Sequence, residues 1–426
     1  MNRNVVVRHP LNPFTVLDLA VDVSMDDLHF AIDMGGEIVE KTIANRSENI
    51  EVMLRWMLNK AKHAGYNQLR VVAEPTGIYH ELLFRVAEAM KLQTTYVRGE
   101  AVKKMRKILY NDDGKTDQRD PRAIHALADR DIVFEHRRLP EIYKLMRRFN
   151  LMYANDEKGI IEAKCRIHRC LKTMFPDFSF GPGFEYSNSG RAIMRCYNYD
   201  PHAIKRAGLK RVTKRLKAIV PRIRKNTINQ LIVQANASAK STPSGRINEA
   251  RALELRQAWE DMELNEKRRS EAAEVLESLY DEARFADEKL PKPIKGVVTK
   301  LALARLVGEL GPLSDFKNWR QILKMSGLNL CERQSGKYKG HTKISKAGRC
   351  MARSIVNQMV LPLVKKTRLY GRYFHYKRDV EKMQGTKAMT AVARKLLKML
   401  WGLYKSGAEF SAERVFACES TFAKAA

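Results

Sequence analysis

The chain has 426 residues, 44% of them hydrophobic, with a formal net charge of +30 and a pI near 9.9. That apolar fraction supports packed cores and excludes a disordered tail protein, and the length allows two or three domains. The charge points to a polyanionic partner, nucleic acid before an anionic membrane surface, and no apolar run is long enough to span a membrane.

The excess charge is unevenly placed. Residues 11–130 hold 17 Lys and Arg against 18 Asp and Glu, whereas residues 291–426 hold 28 against 8. Residues 201–240 hold 11 basic residues and no acid. A solvated surface ordinarily mixes its signs, so these stretches read as polyanion-binding. The six cysteines are scattered without a CxxC pair, which fits a reducing cytoplasm. CRIHRC (165–170) brings Cys165, His168 and Cys170 close in sequence, but at no common zinc spacing. The opening MNRNVVVRHPLNPF lacks an apolar core followed by small residues, so no leader is expected.

In chain order, FTVLDLAVDV (14–23), LHFAID (28–33) and EIVEKTI (37–43) are strands at hairpin distance. Apolar residues at helical spacing follow over 49–64, then a short strand LRVVAE (69–74) and a helix over 79–90. TTYVRG (94–99) is another strand, with helices near 100–110 and 120–130. Three hairpin-linked strands followed by αβαβα is the order of the ribonuclease-H-like fold, which by itself says little about function. Residues 139–175 are an amphipathic helix, 177–190 a Gly- and Ser-rich loop, and 203–240 basic helix ending in the linker SAKSTPSG (238–245). Residues 246–286 contain neither Pro nor Gly and form one long helix with a seam of Leu255, Met262, Leu276 and Leu279, read as a coiled-coil or dimer arm. A helical, strongly basic unit runs from 290 to the end.

In a ribonuclease-H-like sheet the end of the first strand, the tip of the fourth and the last helix converge. Here those places hold Asp22, Glu74, Asp117 and Asp120. Two carboxylates about 4 Å apart repel by about 4 kcal/mol at an effective dielectric of 20, so such a cluster calls for Mg²⁺, a hard ion suited to carboxylate oxygen. A pair of such ions can activate the attacking oxygen and stabilise the leaving one in phosphoryl transfer. Each acid also has an ordinary reading: Asp22 as a turn residue, Glu74 as an exposed strand end, Asp117 or Asp120 as a helix cap ahead of Pro121. Asp18, Asp112 and Asp113 are set aside, the first as too early on its strand and the others as residues of a polar turn.

AVDVSMDDL (20–28), VVAEPTGIYHE (71–81) and KTDQRDPRAI (115–124) resemble the three DEDD motifs of the insertion-sequence one-ten family of transposases, the bridge-RNA-guided recombinases. Asp22, Glu74, Asp117 and Asp120 match the motif positions, with Pro121 where that family usually has alanine. FKNWRQILKMSGLNLCERQSGKYKGHTKISKAGRCMARSIV (316–356) resembles the family's serine-bearing domain, its serine aligning with Ser335. GTKAMTAVARKLLKMLWGLYKSGAEF (385–410) is similar as well. The family's IPGIG turn is replaced by PIKGVVTK (293–300), which keeps only Gly296.

The resemblance implies a DNA transposase whose Ser335 attacks a phosphodiester. Mg²⁺, or Mn²⁺ in its place, would be held by Asp22, Glu74, Asp117 and Asp120. Arg333, Gly336, Lys337, Lys339, Lys343, Lys346 and Arg349 would receive the nucleic acid, the glycines by letting backbone approach a phosphate. Ser345 is the nearest rival to Ser335, and His341 a weak candidate for its base. Implied partners are double-stranded donor and target DNA, a guide RNA and further copies as homodimer or homotetramer, in a prokaryotic cytoplasm. The expected architecture is α/β plus α: a RuvC-like DEDD domain (11–135), a helical basic connector (136–245), a coiled-coil arm (246–289) and a helical transposase domain (290–412). The residues leave two rivals open: a metal-dependent nuclease or Holliday-junction resolvase using water, and a non-catalytic nucleic-acid scaffold.

Overall fold

Odd-numbered residues of VLDLAVDV supply Leu17, Leu19, Val21 and Val23 to one core, and the even-numbered Ala20 faces another, as the period of two in a strand dictates. A computed structural model of the chain describes residues 16–34, 36–75, 77–111, 119–242, 245–332, 334–335, 338–340, 342–365 and 369–416. The chain divides into two compact units, Met1–Arg138 and Leu139–Ala426.

The first unit is a mixed sheet of β1 (Val16–Val23), β2 (Asp27–Asp33), β3 (Ile38–Ala44), β4 (Gln68–Ala73), β5 (Gln93–Tyr96) and β6 (Phe134–Glu135), in spatial order β3-β2-β1-β4-β5-β6. β1, β2 and β3 pair antiparallel, β4 and β5 lie parallel to β1, and β6 closes the edge antiparallel. Helices α1 (Ser47–His63) and α2 (His80–Ala89) supply Ile50, Leu54, Met57, Leu83 and Phe84 to the core on one face. Helices α3 (Gly99–Tyr110) and α4 (Arg119–Asp129) cover the other, packing Val102, Met105, Ala123, Ile124 and Leu127 on Ala20 and Val72. Parallel strands joined through helices must be covered on both faces in this way. The two-residue β6 was not among the expected elements.

The second unit is built on two long antiparallel helices, α5 (Glu141–Met174) and α9 (Arg246–Ala286), about 50 and 60 Å long at 1.5 Å per residue. Between them in sequence come α6 (Asn188–Tyr197), α7 (Pro201–Ile219) and α8 (Lys225–Ser241). α6 starts inside the stretch read as a loop, capped by the Ser187 hydroxyl, which accepts from the Gly190 N–H. The antiparallel sense is fixed by Arg169–Glu254 at 2.5 Å, the Arg166–Asp261 pair, and Gly159 packed against Asn265.

Each end of this pair carries its own core. Tyr143, Met146, Leu276 and Tyr280 join one, and Ile167, Cys170, Leu255 and Met262 the other, with α6–α8. The seam assigned to a coiled-coil or dimer arm is therefore closed within the chain. Leu255, Met262 and Leu276 are buried and Leu279 partly so. The reason is length: α5 is nearly as long as α9 and offers a complementary apolar stripe.

The remaining helices, α10 (Lys300–Leu310), α11 (Trp319–Met325), α12 (Cys350–Val360), α13 (Leu369–His375), α14 (Gly385–Ser406) and α15 (Ala412–Phe416), pack around the first of these cores. Ahead of α10, residues 293–300 form a tight reversal. Ile294 and Val298 exchange backbone hydrogen bonds of 2.9 Å, Gly296 takes φ +76°, and Thr299 caps the helix. The left-handed φ explains glycine at that position. No helix among the described residues is long and apolar enough to cross a membrane.

Candidate active site and nucleic-acid interface

The sheet register places the first two acids. β1 and β4 run parallel with Asp18 opposite Arg70 and Val21 opposite Ala73. Asp22 is the next residue of β1, and Glu74 follows directly on the last residue of β4; neighbouring strands lie about 4.8 Å apart. Asp18, Ala20 and Asp22 share the face covered by α3 and α4.

At the start of that face Arg70 bridges Asp18 through bonds of 2.5 and 2.8 Å and reaches Asp131 and the Ala128 carbonyl beyond. Asp18 is thus the ion-pair partner of Arg70. The same bonds fix the C-terminal end of α4 level with Asp18. From Ala128 back to Asp120 is about 12 Å of helix, and from Asp18 to Asp22 about 13 Å of strand. Asp120 stands at the opposite end of α4 from Ala128.

Asp120 sits in the first turn of α4 and is 4% exposed. Pro121 next to it is tolerated because first-turn N–H groups have no intrahelical acceptor. The Asp120 Oδ1 atom accepts from Nη1 of Arg106 on α3, itself nearly buried. Sequence reasoning missed Arg106. The available signal was a cation on the apolar stripe of an amphipathic helix, four residues after Val102.

Glu74 follows β4 directly. Its carboxylate lies against Gly99, the first residue of α3, where a Cβ would overlap Oε1. Glycine there leaves room for a carboxylate at a helix N-terminus, which the partial positive charge of that end favours. Asp117, like Asp112 and Asp113, lies outside the described residues. Among the described residues no three His, Cys, Asp or Glu side chains are grouped as a metal would need.

In the second unit Ser335 belongs to a small β-hairpin arm. β7 (Leu330–Cys331) pairs with β10 (Lys343–Ile344), and further out β8 (Gln334–Ser335) pairs with β9 (Tyr338–Lys339). Ser335 stands opposite Tyr338, at the outer end of the outer pair. Arg333, Gly336, Lys337 and His341 lie outside the described residues, and only the backbone of Ser335 and Lys339 is described. Lys343 and Lys346 are exposed, the latter at φ +55° in the loop that follows.

Arg349 is less exposed than Lys343 and Lys346. Its Nε donates to Glu309 at 3.0 Å, so part of its charge is spent inside the protein. Glu309 is 4% exposed and also accepts from the fully buried Asn150, at 2.9 Å. Arg305 in turn donates to Asn150 and Gln358. Ser345, the rival nucleophile, donates its hydroxyl to Asn329 Oδ1 at 2.5 Å and its N–H to the Asn329 carbonyl. Cys165 and Cys170 turn to different environments on α5, the first exposed and the second buried.

Two family models match this chain. One, described as a transposase (DEDD_Tnp_IS110), covers residues 19–176; the other, Transposase IS116/IS110/IS902 family, covers residues 292–375. Together they span more than half of the length. The chain belongs to the IS110 family of transposases. It is accordingly an enzyme of DNA transposition and recombination. None of the curated proteins compared with this transposase matches it significantly. The first match contains Asp22, Glu74, Asp117 and Asp120, and the second contains Ser335, Lys343, Lys346 and Arg349. Residues 177–291, with α6–α9, lie in neither.

Proposed function

We propose that this transposase cuts and rejoins DNA with the Ser335 hydroxyl as nucleophile. A divalent metal held by Asp22, Glu74, Asp117 and Asp120 assists, and an RNA guides the enzyme to its sites. What supports the reading is the parallel pairing of β1 with β4, whose C-terminal ends carry Asp22 and Glu74, together with the family match over residues 19–176 that contains all four acids. The strand order, with three antiparallel strands followed by two parallel ones, supports a ribonuclease-H-like, RuvC-like domain.

The donors suit Mg²⁺ or Mn²⁺. Asp22 and Glu74 offer carboxylate oxygens from adjacent strand ends, and the space beside Gly99 accommodates the Glu74 carboxylate. A carboxylate has about four lone-pair sites, so the Arg106 bond to Asp120 Oδ1 is compatible with metal binding by the same group. Bound there, the metal would supply positive charge against the phosphodiester.

The chain's own residues perform the rest. Lys337, Lys339, Lys343 and Lys346 hold the DNA backbone around the hairpin. The Ser335 Oγ forms a bond to phosphorus, the departing sugar oxygen leaves with a proton, and protein and DNA are joined through a phosphoserine. Attack by the sugar hydroxyl of the exchanged strand releases the serine. The nearly neutral sheet unit supplies the carboxylates, and the basic unit the serine and the grip on DNA.

In a test with donor DNA and Mg²⁺, Ser335→Ala abolishes the covalent protein–DNA adduct and leaves metal binding intact. An adduct persisting in that variant overturns the serine assignment. Strand cleavage without an adduct would instead indicate water as nucleophile. Sequencing RNA that co-purifies with the protein tests the guide, and its absence removes the guided reading alone.

A further inference from the structure

We propose that α7, in the segment outside both family matches, is a second DNA-binding surface that grips the duplex flanking the exchange site. This rests on the transposase reading above and adds a contact to it. α7 is kinked at Gly208 (φ +67°, ψ 170°), and its second half is folded onto the core by the fully buried Val212 and Leu216. At 100° per residue, Lys210, Lys214 and Lys217 fall opposite that buried pair, with Arg211 and Arg215 along one side. All five are exposed, and none forms an ion pair among the described residues.

Arg215 lies over the Tyr197 ring, 5.8 Å from its centroid, while the three lysines form no ion pair among the described residues. Residues 201–240 contain no acid, and acids of α9 are paired with other helices: Glu254 with Arg169, Asp261 with Arg166, Glu266 with Arg191. A row of lysines repeating each turn suits backbone phosphates. Residues 201–240 contain no Phe, Tyr or Trp. Single-strand sites depend on aromatic stacking, so the surface fits a duplex.

Its position sets the reach. α7 belongs to the core at one end of the α5–α9 pair, and the arm bearing Ser335 joins the core at the other through Ile344. Met146 and Cys170, one in each core, are about 36 Å apart along α5. That corresponds to about 10 base pairs at 3.4 Å each.

The test compares the full-length protein with the triple variant Lys210→Gln, Lys214→Gln, Lys217→Gln on a fluorescein-labelled 50-base-pair DNA duplex of random sequence and on an RNA duplex of equal length. Each lost phosphate contact removes about 0.9 from the slope of log K against log salt. The expected result is a slope on DNA lower by about 2.7, an unchanged melting temperature, and recovery in the corresponding triple Arg variant. An unchanged slope on DNA, or a loss on the RNA duplex alone, overturns the proposal. The variant keeps Ser335 and all four carboxylates. Failure of the adduct assay therefore counts against the transposition chemistry and leaves this result standing.

Discussion

Gly99 separates fold from chemistry at a single residue. A Cβ there meets the end of a flexible side chain, the Glu74 carboxylate, so the clash is relieved by moving that carboxylate and not the backbone. Gly99→Ala should keep its melting temperature within a few degrees while losing most Mg²⁺-dependent DNA cleavage; full cleavage would mean that the position of Glu74 is immaterial. Glu309 is the opposite case. Its removal strands the fully buried Asn150 amide, which costs about 1–3 kcal/mol, while the part-exposed Arg349 guanidinium is left to water. Glu309→Ala should show that loss in urea unfolding. Asp22 and Glu74 were legible in the sequence because each stands at the end of an apolar strand. Arg106 and Asn150 were not, because their partners lie on other helices and no local pattern announces the pairing.

Helices and strands were readable in proportion to their length. β1 to β5 and α9 carry strong periodicity, whereas β6 has two residues and exists only because β5 offers it an edge. α9 was recognised as a helix, but its partner was not, since an apolar seam does not say which surface will cover it. The α5–α10 crossing depends on Gly308, where a Cβ would lie 2.9 Å from the Met146 Cβ and 3.2 Å from its carbonyl carbon. Backbone cannot yield as a side-chain end can, so Gly308→Ala should cost about 1–3 kcal/mol, typical of overpacking. Met262→Ala, which removes a fully buried side chain between α9 and the α6–α8 core, should cost about 2–5 kcal/mol. Both are measured by chemical denaturation.

On the scale of the whole molecule, no core cluster among the described residues draws on both units. A fragment ending at Arg138 should therefore fold alone, with a cooperative thermal transition and a mixed α/β circular dichroism spectrum. A fragment that stays unfolded would show that the sheet unit needs the rest of the chain. The second unit resists such division, because α5 and α9 each serve the cores at both ends.

The sequence alone determined the class of partner, the order of β1 to β5 with α1 to α4, and the family motifs. Net charge, apolar periodicity and motif spacing are properties of the chain that survive without coordinates. Only the tertiary structure decided that Asp120 meets Arg106, that Arg349 is partly spent on Glu309, and that α9 is covered by α5. It also showed that the lysines of α7 face away from the core. Each of these depends on which surfaces are pressed together, and burial makes an ion pair or a seam consequential in a way that composition cannot record.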